Sequence, residues 1–264
     1  MKLKAIAALL LAASALTAQA QNYFDDKHFD TPVPHTVHYS NDTHRLVGIS
    51  RTALSTNLTL TLKEYQIGAC KLDIDSDCSL TDVATGKKYP IIVSTGIPKE
   101  PDYLNIEEAG EVELKIELAF PALPDNVKKV STEFGIYDIE IGNVPVNLEG
   151  ARQWFIDGCT NKDGSLKVYS VADNGTYTFI TFIYEPERTS GAYLNPTTAL
   201  VDPATGKVYQ ADYLLGLKSS KEHLTYSPTS FMVRFPSIVR DGVKTFNFVE
   251  SPTSSWNISG IRLD

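Results

Sequence analysis

Apolar and polar residues alternate with a period of two along much of the chain. Leu58, Leu60 and Leu62 alternate with Asn57, Thr59 and Thr61, and Val112, Leu114, Ile116, Leu118 and Phe120 alternate with Glu111, Glu113, Lys115, Glu117 and Ala119. Phe231, Val233 and Phe235 repeat the pattern further on. Successive side chains of a strand point to opposite faces, so this alternation predicts strands with one buried and one wet face. No helical stripe of comparable length follows residue 20. Residues 82–86 and 202–206 carry Asp, Thr and Gly in turn-forming order, each followed by Lys. Short alternating strands broken by such turns predict an all-β, antiparallel β-sandwich fold.

The pattern is written twice. Val-Ala-Thr-Gly-Lys-Lys-Tyr at 83–89 matches Pro-Ala-Thr-Gly-Lys-Val-Tyr at 203–209, an offset of 120 that reads without a gap from 45–89 against 165–209. Later, Phe120-Pro121 meets Phe235-Pro236, Val127-Lys128 meets Val243-Lys244, and Ile141, Val144 and Val146 meet Ile258, Ile261 and Leu263. The same landmarks in the same order predict two tandem sandwiches. Their boundaries fall at 44–149 and 161–264, with a linker at 150–160 holding Trp154-Phe155 and a leader at 21–43.

The start of the chain changes the picture of where the protein works. Lys2 and Lys4 precede a short apolar run, and Ala18-Gln19-Ala20 supplies the small residues of a cleavage site. Residues 1–20 therefore read as a signal peptide cut before Gln21, since the run falls short of the ~20 residues of a membrane span. Without Lys2 and Lys4, 22 Lys and Arg face 32 acids, a net charge of −10. An acidic surface argues against nucleic acid as partner, and no later stretch predicts a transmembrane segment. A periplasmic or secreted protein meets oxidants, so Cys70 and Cys78 are expected to pair, leaving Cys159 free. Ser190 and Thr198 stand at the equivalent positions of the second copy.

The order of strand, aromatic strand, Thr-Gly-Lys-x-Tyr turn, Phe-Pro, Val-Lys and closing strand resembles the Ig-like β-sandwich domain of exported Bacteroidota proteins. That domain sometimes precedes a thioredoxin-like domain. The matching residues are 85–89, Phe120, Pro121, Val127 and Lys128, then 205–209, Phe235, Pro236, Val243 and Lys244. Glu250, Trp256, Ile258, Gly260, Ile261 and Leu263 match the closing segment. The resemblance implies a pair of Ig-like domains and transfers no ligand or catalytic residue. No thioredoxin domain and no Cys-x-x-Cys accompany it here, so redox activity does not carry over.

Candidate chemistry is sparse. Asp73, Asp75 and Asp77, with Asp82 beyond, begin like a calcium loop. Cys78 stands where that loop needs Gly, no Glu occupies position twelve, and the second copy has Tyr193, Asn195 and Thr197 instead. The sequence favours a solvated acidic loop and no cofactor, with calcium as the alternative. His28, His35, His38 and His44 lie in or beside the leader among several Asp residues, a composition that suits zinc or copper without a spacing that promises a site. His223 stands alone. No nucleophile elbow, His-Glu-x-x-His or phosphate loop is present. Tyr184, Tyr193 and Tyr213 could stack on a sugar, although a sandwich core also buries tyrosines.

The copies differ most at one strand. Where the first has Asn57, Thr59 and Lys63 on the face read as wet, the second, at the same offset, has Tyr177, Phe179 and Ile183. Such a face is an interface in need of cover. The cover is the first domain or the Trp154-Phe155 linker, a separate partner, or a loop of the same domain. The whole reads as an exported, non-enzymatic binding or structural module of the cell envelope, with an envelope protein or glycan as partner. A carbohydrate-binding or surface-assembly protein is the alternative, and an enzyme stands third.

Overall fold

The computed structural model of the chain describes residues 37–40, 43–100, 102–107, 109–187, 190–217, 223–225 and 228–264. The signal peptide at 1–20 and the leader up to residue 36, with His28 and His35, lie outside the described residues.

The first half contains β1 (His38–Tyr39), β2 (His44–Thr52), β3 (Ser55–Gln66), β4 (Cys70–Leu72), β5 (Ser79–Asp82) and β6 (Lys88–Pro90). It continues with β7 (Val93–Thr95), β8 (Leu104–Ile106), β9 (Gly110–Pro121), β10 (Lys129–Thr132), β11 (Ile136–Tyr137), β12 (Ile139–Glu140) and β13 (Val146–Asn147). The second half contains β14 (Arg152–Phe155), β15 (Leu166–Asp173), β16 (Tyr177–Tyr184), β17 (Ser190–Ala192), β18 (Ala199–Val201) and β19 (Val208–Gln210). It ends with β20 (Tyr213–Leu215), β21 (His223–Thr225), β22 (Thr229–Pro236), β23 (Thr245–Val249) and β24 (Ile258–Arg262). The fold is all-β, and among the described residues no helix is long and apolar enough to cross a membrane.

Both halves use one pairing order apart from the edge strand of the larger sheet, which comes from the end of the first half (β13) and from the start of the second (β14). A five-stranded sheet runs β13-β2-β3-β9-β7 in the first and β14-β15-β16-β22-β20 in the second. A four-stranded sheet runs β6-β5-β10-β12 in the first and β19-β18-β23-β24 in the second, and each half adds a ribbon, β4-β8 or β17-β21. The ladders are antiparallel except β13 on β2. In each half the five- and four-stranded sheets share one core. Leu58, Leu60 and Phe120 meet Leu80, Val130 and Ile139, and Ile180, Phe182 and Phe235 meet Leu200, Phe246 and Phe248. Phe120 and Phe235, the twin landmarks of the alternation, are wholly buried.

The register corrects the ungapped repeat. Leu46 pairs with Leu60 and Arg51 with Thr56, while Val168 pairs with Phe182 and Asp173 with Thr178. A bulge lies between Leu46 and Gly48 and between Val168 and Ser170. The first two strands of each half therefore correspond at an offset of 122 (46 against 168, 60 against 182). From the Leu80–Tyr89 pair, matched by Leu200–Tyr209, the offset is 120. The second half is two residues shorter in between. An even slip preserves which face each side chain takes, so the alternation cannot reveal it. The structural counterparts of Asn57, Thr59 and Thr61 are thus Phe179, Thr181 and Ile183.

The wet face expected on β3 also needs correction. Asn57 and Thr59 are only 4% and 2% exposed, while Lys63 is exposed and pairs with Glu111 at 2.8 Å. Part of the Asn57 cover is local, since its side-chain amide donates to Ser50 Oγ at 3.1 Å on the neighbouring strand.

Candidate functional site

Tyr177, Phe179, Thr181 and Ile183 alternate with core residues on β16 and so share the outer face of its sheet. Left in water, such a face would be a sticky patch. Phe179 is 7% exposed and forms one apolar cluster with Ala172 and Met232 beside it and with Ala53, Leu54 and Ile92 of the first half. Tyr177 and Leu215 pack at the rim of that cluster with Val93 and Ala151. Ile183, 5% exposed, joins the core of the first half. The cover is therefore the β2–β3 turn and the β6–β7 connection. Of the linker residues, Trp154 packs on the second core instead, and the Phe155 ring stands edge-on to Tyr169 at 5.8 Å.

Backbone geometry permits this approach. Gly216 follows β20 at φ +91°, and a Cβ there would meet Ser230 O at 2.8 Å and Ile92 O at 3.0 Å. Only a residue without a side chain fits where the two halves touch backbone to backbone.

Polar groups close the edges of the contact. Tyr169 is the bulge residue of β15, and its hydroxyl donates to Ala122 O at 2.8 Å. Its ring stands edge-on to Tyr89 at 5.9 Å, and Lys87 Nζ lies 5.3 Å and 5.4 Å from the centroids of Tyr89 and Tyr169. Burial, reinforced by Tyr89 and Asp157, pushes the Tyr169 phenol well up, which keeps it the neutral donor that the Ala122 carbonyl requires. Gln153 Nε2 donates to Ala53 O at 2.7 Å, and Lys99 Nζ donates to Thr229 Oγ1 at 2.7 Å.

The other sequence candidates are dispersed. Asp73, Asp75 and Asp77 are exposed, but Asp82 is buried and its carboxylate accepts from Ala84 N at 3.1 Å and Thr85 Oγ1 at 2.5 Å. Asp202 holds the second turn in the same way, with Ala204 N at 2.9 Å and Thr205 Oγ1 at 2.6 Å. Asp82 is thus a turn residue, which removes it from the calcium reading. Partial burial, then Asp77, Glu100, Asp73 and Glu133, push the Asp75 carboxyl up. Among the described residues no group of three His, Cys, Asp or Glu side chains is placed to hold a metal ion. His38 lies on β1, and the His44 ring is 5.3 Å from Phe134. His223 lies on β21.

The expected Cys70–Cys78 bridge is absent, and all three cysteines are free thiols. Cys70 is held on the ribbon opposite Ile106, whereas Cys78 is buried in the first core together with Ile74. The chain between them dives inward at Ile74, so proximity in sequence does not become proximity of sulfurs. Burial pushes the Cys78 and Cys159 thiols up, which favours the protonated form of each.

Tyr184, Tyr193 and Tyr213 occupy three different settings. Tyr184 is buried against Trp256 at 4.8 Å, and Tyr193 is exposed after β17. Tyr213 flanks the Arg234 guanidinium at 5.2 Å, with Tyr177 on it at 4.4 Å. Arg234 in turn pairs with Asp212 at 2.8 Å.

Comparison of the chain with protein-family models, with curated proteins and with solved structures finds no match.

The alternation passed over two buried charges. Arg51 points inward and donates to Leu123 O at 2.8 Å and to Ile141 O and Val144 O at 3.3 Å each. Asp173 points inward and accepts from Thr178 Oγ1 at 2.5 Å, from Gly175 N at 2.8 Å and from Ser237 Oγ at 2.9 Å. The bulge in each strand shifts the inward phase by one, so neither charge can be recognised as inward-facing until the bulge is known.

Proposed function

We propose that the chain is a non-enzymatic binding or structural module of the cell envelope, periplasmic or secreted, built from two tandem Ig-like β-sandwiches joined as one rigid body. The observation that carries this reading is the junction. The apolar outer face of the second half's larger sheet packs on the first half. A buried aromatic anchor and polar bonds at its edges are what a fixed joint needs, whereas a flexible tether leaves domains to move independently. A rigid two-part body suits a spacer or a presenting scaffold, with an envelope protein or a glycan engaging other surfaces.

The test is crosslinking in the native envelope followed by affinity capture of the tagged chain. A discrete envelope protein or glycan, with a mature N-terminus at Gln21, is the expected result. Recovery of intact Met1 from the cytoplasm, or a turnover activity carried by the purified chain, overturns it.

A further inference from the structure

The junction is apolar around Phe179 and polar at its other edge. There Lys99, half-buried on the β7–β8 connection, reaches across to Thr229 Oγ1 at 2.7 Å and back to Ile91 O at 3.4 Å. Both acceptors are neutral, and Thr229 and Ile91 are buried. The titratable side chain acting on the amine is the buried thiol of Cys78. Asp75, Asp77 and Glu133 act on that thiol, and Glu100, next in the chain, turns its carboxylate to Ser76 N at 3.4 Å. Beside Thr229, the Ser230 hydroxyl is buried with no hydrogen-bond partner. An ammonium held between neutral oxygens loses more hydration than it recovers, whereas a neutral amine fills the same place at lower cost.

We propose that this edge is a pH-sensitive latch between the two halves, which tightens when Lys99 gives up its proton and slackens when Lys99 carries one. Burial pushes the amine down to about 8, from the ordinary lysine range. The closed junction binds the proton more weakly than the open one. Protonation therefore favours opening in full below pH 8, and closure is regained as pH rises from there toward the free-lysine value of about 10.4.

The experiment places a reporter thiol in the latch. Ser230→Cys is introduced into the chain with Cys70→Ser, Cys78→Ala and Cys159→Ser. Its alkylation by iodoacetamide is followed at pH 7 and pH 9, each rate divided by that of the same chain in urea. The normalised rate should fall about tenfold from pH 7 to pH 9, the linkage expected for a proton affinity lowered by about two units. Adding Lys99→Met should give slow alkylation at both pH values. An unchanged rate with Lys99 present, or the same fall with Lys99→Met, overturns the latch. If the reporter chain does not fold, the Lys99 Nζ titration in the unmodified protein decides by nuclear magnetic resonance. A midpoint within about one unit of 8 supports the latch, and one above about 10 overturns it.

Discussion

Arg51 in the first half and Asp173 in the second hold equivalent positions, each paired across the hairpin with a threonine. Those threonines do the same work. Thr56 Oγ1 accepts from Leu123 N at 3.3 Å, and Thr178 Oγ1 accepts from Ile238 N at 3.0 Å, both amides lying three residues beyond the buried Phe. The neighbours of opposite charge then close the end of each core in opposite ways. Arg51 gathers three backbone carbonyls, and Asp173 gathers two hydroxyls and an amide. The repeat therefore preserves the shape of the core through its apolar strands, while each copy uses its own set of donors and acceptors at that end.

A second contrast lies on the outer faces. Phe179 matches Asn57, and Ile183 matches Thr61. The second copy has converted a polar sheet face into a docking face for the first. Its counterpart at the end of the first copy is the apolar turn Ala53-Leu54, where the second has the turn Gly175-Thr176. The two ends are not interchangeable: the apolar turn of the first half meets the apolar outer face of the second.

The comparison breaks most visibly if the buried phenylalanines are unequal. Phe120→Ala and Phe235→Ala should each cost about 3–5 kcal/mol by denaturant unfolding. A loss below ~1 kcal/mol at either would mean that its strand face has been misassigned. Next come the end plugs. Asp173→Ala should cost roughly 2–4 kcal/mol, because two buried hydroxyls and the Gly175 amide lose their acceptor. Arg51→Met should cost less than Arg51→Ala, since the apolar stem keeps filling the core end while the three carbonyls lose their donor. Calorimetry of these three variants would sharpen the claim that the charges are alternative solutions.

Phe179→Thr should cost about 1–2 kcal/mol through lost apolar burial, and small-angle scattering should show a looser relation of the halves while each stays folded. Unchanged scattering and stability would sink the junction. The smallest effect is expected at Cys70. With no bridge, Cys70→Ser should change stability by less than about 0.5 kcal/mol, whereas closing the short loop with a disulfide would have made it roughly 2–3 kcal/mol. Peptide mapping after alkylation in guanidinium should find free thiols at Cys70, Cys78 and Cys159.

Alternation of apolar and polar residues determined by itself that the chain is all-β, because the pleat ties a period of two to the two faces of a strand. The doubled landmarks located the paired Phe120 and Phe235, and the run of Tyr177, Phe179 and Ile183 marked a face that water could not be left to cover. Pattern alone is blind to anything that keeps parity or needs a third dimension. A slip of two residues leaves every face unchanged, and a bulge turns Arg51 and Asp173 inward without altering composition. Cys70 and Cys78 are near in sequence and apart in fold, because Ile74 between them is drawn into the core. Asp82 reads like its acidic neighbours until its carboxylate is seen to bind its own turn. That Phe179 meets Ala53, Leu54 and Ile92, and not the adjacent Trp154-Phe155, was settled by long-range packing, since residues more than 80 positions apart touch only once both sheets are formed.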